Sequence, residues 1–302
     1  MDTNKKNGLL ALAVVCILWG TTYFALRIGV RSFPPLLFSG IRQIIAATLL
    51  FILIIIMKGK FDWRYQNLIR QLFIGFLLIC MGNGLVGWAE VYIPSGLASL
   101  IASLIPLNIV ILNLISGKVK HVNSRIITGI LLGLAGMLFI FKDNLKDIRN
   151  AGYLTGLLMS FTASICWSLG TILVKKYNNK SETPYHNMAL QFLFGGLLMT
   201  ITGFLFEDHS LIQKASIQSW WALGYLAIFG SIVALLCYQF AIKTLSITTV
   251  ALYAYVNPFI AILLGCLFLQ EKFTMFTAIA FILTLSGIYL VNAGNKLKIK
   301  TT

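Results

Sequence analysis

The most constraining feature of the sequence is a series of apolar runs, each long enough to cross a bilayer as a helix. About 20 apolar residues span the roughly 30 Å of hydrocarbon in a membrane. About ten such runs follow one another, separated by short polar breaks that contain turn-forming residues. The sequence therefore predicts an all-α polytopic membrane protein with spans at residues 8–28, 34–57, 71–90, 95–116, 124–141, 152–174, 185–206, 218–241, 247–269 and 274–292.

Composition excludes a soluble protein. Hydrophobic residues make up 58% of the chain and charged residues 11%, with a mean hydropathy of +0.87. A soluble domain carries about 25% charged residues. The net charge of +15 is spread over many short breaks and forms no basic face, so we expect no nucleic-acid partner.

The distribution of basic residues predicts the orientation in the membrane. Sixteen of the 24 Lys and Arg lie in breaks on the side of the N terminus, seven lie in the opposite breaks, and Arg42 lies inside a span. Cytoplasmic loops carry the excess of basic residues, so both termini are predicted to be cytoplasmic. The first run follows Lys5 and Lys6 as a signal peptide would, but without a clear cleavage site we interpret it as an uncleaved span.

Two halves of the chain resemble each other at an offset of about 148 to 152 residues. WGTTYFALRIG from Trp19 aligns with WSLGTILVKKY from Trp167, and the run around Arg42 aligns with that around Gln191. The later spans align in the same order, which chance matches would not be expected to do. We predict repeats at 1–146 and 147–302; five spans in each would make the second half inverted, the architecture of many secondary transporters.

These features resemble the drug/metabolite transporter superfamily, and within it the EamA-type carriers. The matching features are the Trp19–Gly20 pair, Pro35 with Arg42, small residues before a proline in the fourth and ninth spans, and LQEKF at 269–273. The run at 88–107 resembles the subgroup of YedA-like permeases. Where the family often has glycine, this chain has Leu269 and Gln270 before Glu271, and Lys120 stands at the equivalent place in the first half.

Arg42 and Glu90 are the charged candidates for a site. Arg42 lies about 10 Å below the predicted outer surface, at 1.5 Å per residue, and Glu90 ends the third span on the same side. A charge at that depth is costly unless it finds water or a partner. Either Arg42 extends to the headgroups and Glu90 caps an exposed loop, or both line an outward mouth that binds substrate or changes protonation, and a direct ion pair between them is one form of this.

Further candidates are aromatic and amide residues at membrane depth and two prolines. Trp19 and Trp167 are repeat equivalents that either line a cavity or pack between helices. The resemblance assigns the third and eighth spans to a central cavity. Asn257 either bonds a neighbouring helix or lines the cavity, and the prolines are hinge candidates. The predicted substrate-binding residues are Trp19, Arg42, Asn83, Trp88, Glu90, Trp167, Tyr238, Gln239 and Asn257, and the predicted hinges are Pro106 and Pro258.

No catalytic, nucleotide or metal motif accompanies these residues. All five aspartates fall in loops or tails, and no P-loop is present, so we predict no enzyme, no cofactor and no direct use of ATP. The predicted function is secondary transport of small metabolites such as amino acids or their derivatives across the bacterial inner membrane, as an exporter driven by protons or by exchange. An uptake permease for sugars or other metabolites is the alternative, and a membrane enzyme or channel is disfavoured.

Overall fold

The computed structural model describes residues 3–116, 123–143, 151–178, 183–245, 247–250 and 252–299. Within these ranges the regular structure is helical and no strand occurs. The predicted repeat boundary after residue 146 and the position of Lys120 lie outside the described residues.

Within the described residues, each predicted apolar run is mostly helical. We number these helices α1 to α10 along the chain; a short 3-10 helix, His209–Lys214, precedes α8, and a single turn, Ile247–Val250, precedes α9. The helices are α1 (Thr3–Gly29), α2 (Pro35–Ile56), α3 (Tyr65–Ala89), α4 (Ser95–Ile115), α5 (Ser124–Asp143), α6 (Ala151–Asn178), α7 (Pro184–Phe206), α8 (Ile217–Thr244), α9 (Tyr253–Leu269) and α10 (Met275–Ile299).

Seven of these helices, α1–α4 and α6–α8, are long and apolar enough to cross a membrane. The apolar stretches of the other three are shorter and cover Ser124–Gly136, Tyr253–Leu269 and Met275–Val291. We call the end of the bundle that holds the α1–α2 and α3–α4 connections the outer end, following the predicted orientation, and the opposite end the inner end.

Several helix boundaries differ from the prediction: α1 begins at Thr3 rather than at residue 8, α6 ends at Asn178 rather than at 174, and α10 ends at Ile299 rather than at 292. α3 begins at Tyr65 rather than at residue 71, because its polar first turns pack against α7 instead of facing water. There Asn67 donates to Asn187 at 2.9 Å, and Gln191 donates to Gln71 at 2.7 Å. α9 begins at Tyr253 rather than at residue 247.

Two helices contain wide π-helical turns at corresponding places in the two halves. In α3 the π-helix covers Phe76–Gly84, between α-helix at Tyr65–Gly75 and Leu85–Ala89. In α8 it covers Leu226–Val233, between α-helix at Ile217–Tyr225 and Ala234–Thr244. π-Helical turns are rare and occur frequently at functional sites.

Several helix contacts recur when the two halves are exchanged. The most extensive contacts join α2 to α7 and α5 to α10, which are equivalent helices. α1 packs on α8 and α9, and α6 packs on the equivalent α3 and α4. At the α5–α10 contact, a Cβ on Gly129 would lie 2.6 Å from the Gly287 carbonyl oxygen and one on Gly287 2.6 Å from that of Gly129, so only glycine permits this approach.

Candidate functional site

One face of α1 carries a polar and aromatic stripe that runs from the middle of the helix to its outer end. Trp19, Tyr23 and Arg27 are spaced by four residues, so their side chains lie on the same face. Tyr23 is close enough to Glu90 to interact with it electrostatically, and Arg27 interacts in the same way with Glu90 and Glu271. The stripe therefore connects mid-helix aromatic rings with the charges of the outer end.

The aromatic part of the stripe is a cluster of three rings from α1, α8 and α9. The Trp19 ring centroid lies 5.0 Å from those of both Tyr238 and Tyr253, and the two tyrosine rings lie 5.7 Å apart. Trp19 Nε1 donates to the Gly230 carbonyl oxygen at 3.2 Å, within the π-helical part of α8. Trp19 and Tyr238 were predicted site residues, whereas Tyr253 was missed, although it lies in one of the aligned repeat segments.

Glu90 is completely buried at the outer end, with 0% of its surface exposed, and Arg42 is 6% exposed. Neither carboxylate oxygen of Glu90 has a hydrogen-bond partner, and neither does Nε of Arg42. Among the described residues, no ion pair joins the two side chains. Glu90 interacts electrostatically with Arg27 and Arg42 without touching either in a hydrogen bond. The interpretation of Glu90 as the cap of an exposed loop is therefore wrong, because its side chain is completely buried.

Other polar atoms near the outer end are also buried without a hydrogen-bond partner. Unpartnered buried atoms occur on α2, which carries Arg42, and on α4, which follows Glu90; they are Ser39 Oγ, Gln43 Oε1 and Ser99 Oγ. A buried polar group without a partner costs about 1–3 kcal/mol, so most native structures avoid it. The outer end can therefore form hydrogen bonds with a polar ligand or with water, or bind a proton, without first breaking a hydrogen bond within the protein.

Two carboxylates of the second half cap two helices of the first half at the outer end. Glu207, after α7, accepts the backbone N–H of Leu36 at 2.9 Å and that of Leu37 at 3.0 Å. Glu271, after α9, accepts from Ser95 N at 2.8 Å, Ser95 Oγ at 2.9 Å and Gly96 N at 3.2 Å. Anionic acceptors are favourable at helix N-termini. We call these two interactions the outer caps.

The outer caps were not predicted, although the sequence contains a signal for them. α2 and α4 each follow a proline, Pro34 and Pro94, that supplies no side-chain cap, so their first N–H groups need acceptors from elsewhere. Burial raises the pKa of the Glu207 carboxyl, and the hydrogen bonds from Leu36 and Leu37 oppose that rise.

The other predicted site residues do not lie together: Trp167 is in an apolar cluster, and three others lie elsewhere on α3 and α8. Trp167 packs in an apolar cluster around Ile74 and Leu78, and a Cβ on Gly82 would lie 2.8 Å from its ring. Trp167 therefore does not join the cluster of Trp19. Three other predicted residues are half-buried on α3 and α8, namely Asn83, Trp88 and Gln239.

Asn257 connects helices. With its amide nitrogen turned toward the neighbouring carbonyl groups, it donates to Cys16 O on α1 at 3.2 Å and to Tyr253 O at 2.9 Å. Asn108 on α4 likewise donates to Ser164 Oγ on α6 at 3.1 Å. These bonds agree with the interhelical alternative that the sequence left open for membrane-depth amides.

Comparison with known proteins identifies the family. The model of the EamA-like transporter family matches residues 6–142 and again residues 154–293. The chain belongs to the EamA-like transporter family. It is therefore a membrane-embedded transporter with a small molecule as its substrate, and the family resemblance drawn from the sequence is confirmed.

Individual EamA-like relatives match most of the chain. The "Uncharacterized inner membrane transporter YedA" of Escherichia coli (strain K12) is 33% identical over 260 residues, which cover 84% of this chain and 80% of the relative. The "Uncharacterized transporter YoaV" of Bacillus subtilis (strain 168) is 23% identical over 282 residues, or 93% and 95% of the two chains. A solved crystal structure superposes with a TM-score of 0.63 at 20% identity, covering 95% of this chain and 97% of the other, which supports the fold.

The two predicted hinge prolines occupy different positions in this EamA-like chain. At Pro106, α4 is interrupted: its first part ends at Ala102 and its second begins at Ile105. Pro258 lies inside the continuous α9. Both lack the N–H that would bond the preceding turn, so each weakens its helix locally.

Proposed function

We propose that this protein is a secondary transporter of the bacterial inner membrane that moves small metabolites by alternating access between two inverted halves. In this proposal all ten helices cross the membrane, five in each repeat, and both termini are cytoplasmic. The observation that carries it is the recurrence of helix contacts and of π-helical turns when the halves are exchanged. Two interchangeable halves are what a carrier needs to form two equivalent access states.

The substrate path in this proposal follows the stripe on α1. A small metabolite binds beside the aromatic cluster of Trp19, Tyr238 and Tyr253, and its polar groups reach toward Arg42 and Glu90. The support is that the rings are half-buried while both carboxylate oxygens of Glu90 and Nε of Arg42 lack hydrogen-bond partners. A molecule that carries both a cationic and an anionic group, as amino acids and their derivatives do, would complement the two charges.

The outer caps support closure of the outer end in the state described here. Each joins a helix of the second half to a helix of the first, so opening the outer end in a rocking motion would separate Glu207 from Leu36 and Glu271 from Ser95. We propose that the transporter exports its substrate, with Glu90 as the group that exchanges a proton during the cycle.

The decisive test is efflux measured against external pH for the native chain and Glu90→Gln. We expect the native rate to depend on external pH and the variant to lose that dependence, because glutamine cannot titrate. Asp208→Asn is the matched control, since Asp208 is exposed at the same end. An unchanged pH profile in Glu90→Gln would contradict the role of Glu90.

A second experiment tests the carrier itself. Uptake into inside-out vesicles should be saturable and should collapse when the ion gradient is removed, whereas a channel would not saturate in this way. A reporter fused after Thr302 should be active in the cytoplasm, and a periplasmic reporter would contradict the inverted arrangement. A growth-inhibition screen against amino acids, their analogues and toxic amphiphiles would identify the substrate class.

A further inference from the structure

The junction between α9 and α10 contains a residue in a left-handed backbone conformation. Gln270 directly follows the last residue of α9 and has φ 58° and ψ 29°. In this conformation Cβ crowds the following carbonyl oxygen, so the conformation is unfavourable for residues other than glycine. The side chain of Gln270 is exposed, so burial of that side chain does not account for the conformation. Its cause lies in the contacts of the neighbouring residues.

The left-handed turn directs Glu271 back toward α4. The backbone N–H groups of Gln270 and Glu271 both donate to the Gly265 carbonyl oxygen, that of Glu271 at 3.1 Å. α9 therefore ends in a tight turn, and the Glu271 side chain reaches the first residues of α4. Its Oε1 accepts from Ser95 N at 2.8 Å, and its Oε2 accepts from Gly96 N at 3.2 Å. The left-handed residue thus positions the carboxylate that forms one of the outer caps.

Gly265 gives this carboxylate the space that it occupies. A Cβ on Gly265 would collide with Oε2 of Glu271 and would lie 3.2 Å from Ser95 Oγ. The same carboxylate also accepts from Ser95 Oγ, at 2.9 Å to Oε1 and 3.0 Å to Oε2. The position of Glu271 is therefore fixed by α9 and by α4 together. Unfavourable backbone conformations persist where the surrounding structure over-determines them, and these contacts meet that condition at Gln270.

We propose that Gln270 is a positioning residue for opening of the outer end: it stays left-handed while Glu271 caps α4 and returns to an ordinary conformation when the cap separates. This inference rests on the proposed function, in which opening parts Glu271 from Ser95. The unfavourable conformation is then confined to the closed state, so it offsets part of the stabilisation that the cap provides. Gln270 thereby makes the outer end easier to open than a glycine at the same place.

The test replaces Gln270 by glycine and measures, in membrane vesicles, how fast a cysteine placed at Ser99 is alkylated. Ser99 is 2% exposed in the closed outer end, and peptide mass spectrometry quantifies the modification at this residue alone. We expect Gln270→Gly to slow alkylation about fivefold, which corresponds to about 1 kcal/mol, because glycine adopts the left-handed conformation without the steric penalty. The matched control is Lys58→Gly, since Lys58 has φ 49° just after α2, at the inner end. It should leave the rate unchanged.

A second variant tests the same junction in the opposite direction. Gly265→Ala should accelerate alkylation, because its Cβ displaces the Glu271 carboxylate from α4 and leaves every charge in place. Equal rates in the Ser99→Cys parent and in Gln270→Gly would overturn this inference alone, because the turn would then keep its conformation in both states. An equal slowing by Lys58→Gly would overturn it as well. A parent in which residue 99 is never alkylated would overturn both this inference and the alternating access on which it rests.

Discussion

The outer and inner ends of the bundle share an architecture but differ in their chemistry. At the outer end, Arg42 on α2 and Glu90 after α3 are buried charges without hydrogen-bond partners. At the inner end, the repeat equivalent of Arg42 is Gln191, a neutral amide that donates to Gln71 at 2.7 Å. The corresponding part of α8 carries Tyr238 and Gln239, with Lys243 in its exposed last turn and no acid. The inner polar groups hold α3 against α7, whereas the outer ones remain available for a ligand or a proton.

The outer and inner ends of the bundle also differ in how their helix N-termini are capped. Glu207 and Glu271 cap helices of the other half at the outer end. The equivalent connections after α2 and α4 contain several basic residues, and the acid of the first one, Asp62, bonds Arg64 of the same connection. Two carboxylate caps between the halves therefore reinforce closure of the outer end, whereas the Asp62 carboxylate at the inner end bonds within its own segment.

The largest expected effect comes from making the outer end resemble the inner end. Arg42→Gln should lower the free energy of unfolding in detergent by about 2–3 kcal/mol, because it removes a cation that compensates the buried Glu90 carboxylate. Glu90→Gln added to Arg42→Gln should recover most of that loss. Thermal unfolding of the single and double variants measures this, and strictly additive losses would show that the two groups are not coupled.

Removing the outer caps should open the outer end. Glu207→Gln with Glu271→Gln should raise the alkylation rate of a cysteine placed at Ser99 by about thirtyfold, since each lost cap costs about 1 kcal/mol. Ser99 is buried at 2% exposure, so its reactivity reports opening. Asp208→Asn is the matched control, because Asp208 accepts from Ser210 N at 3.0 Å, within its own turn. Equal rates in the native chain and the cap variant would argue against a cap that restrains opening.

The two repeat-equivalent tryptophans should differ in their effect on transport. Trp19→Phe loses the hydrogen bond to the Gly230 carbonyl oxygen, worth about 1 kcal/mol, and should lower transport about fivefold. Trp167→Phe should leave the transport rate close to native and lower thermal stability, because Trp167 packs among apolar side chains. Initial rates in vesicles test the difference, and the reverse order would place the substrate on the α3–α6 side.

The smallest expected effects concern how the free energy of unfolding depends on pH. Asp62 at the inner end and Glu207 at the outer end should change it in opposite directions. The pKa of Asp62 is lowered, so its contribution to stability is present above the ordinary carboxyl range and is lost as pH falls toward 2. Arg64→Ala should remove that dependence and change stability little at neutral pH, because Arg64 is 85% exposed and solvent screens the pair.

Glu207 at the outer end should behave in the opposite way. Its pKa is raised, so the folded chain binds the proton more readily than the unfolded one, and stability falls as pH rises above the ordinary value of 4.5. Glu207→Gln should flatten this slope in equilibrium unfolding curves. A slope that persists in Glu207→Gln would have to come from another group.

Helices with continuous apolar runs could be predicted from the sequence almost to the residue. The boundaries of α2 and α7 agree with the prediction within a residue, because proline begins each helix and the apolar run fills its length. The start of α3 was missed because Asn67 and Gln71 are polar yet buried, and a search for apolar runs cannot detect polar residues that bond another helix.

The site could be predicted only in part. Residues that stand out by type, such as Trp19, Arg42 and Glu90, were found because a charge or indole inside an apolar run is conspicuous. The outer caps, Tyr253 and the separation of Trp167 from Trp19 depend on which helices meet, which spacing along one chain does not encode. The π-helical turns were also missed, because their sequences are as apolar as those of the neighbouring α-helix.

The π-helical turns allow part of α3 and part of α8 to rotate about the helix axis. A π-helical turn holds more residues than an α-helical one, so conversion of Phe76–Gly84 or Leu226–Val233 to α-helix would twist the segment beyond it about the helix axis. The segment beyond the first ends at Trp88 and Glu90, and the segment beyond the second carries Tyr238 and Gln239. A change from π-helix to α-helix could thus turn the polar residues at the end of each helix toward a different neighbour. The part of the helix before the π-helical turn would keep its packing contacts.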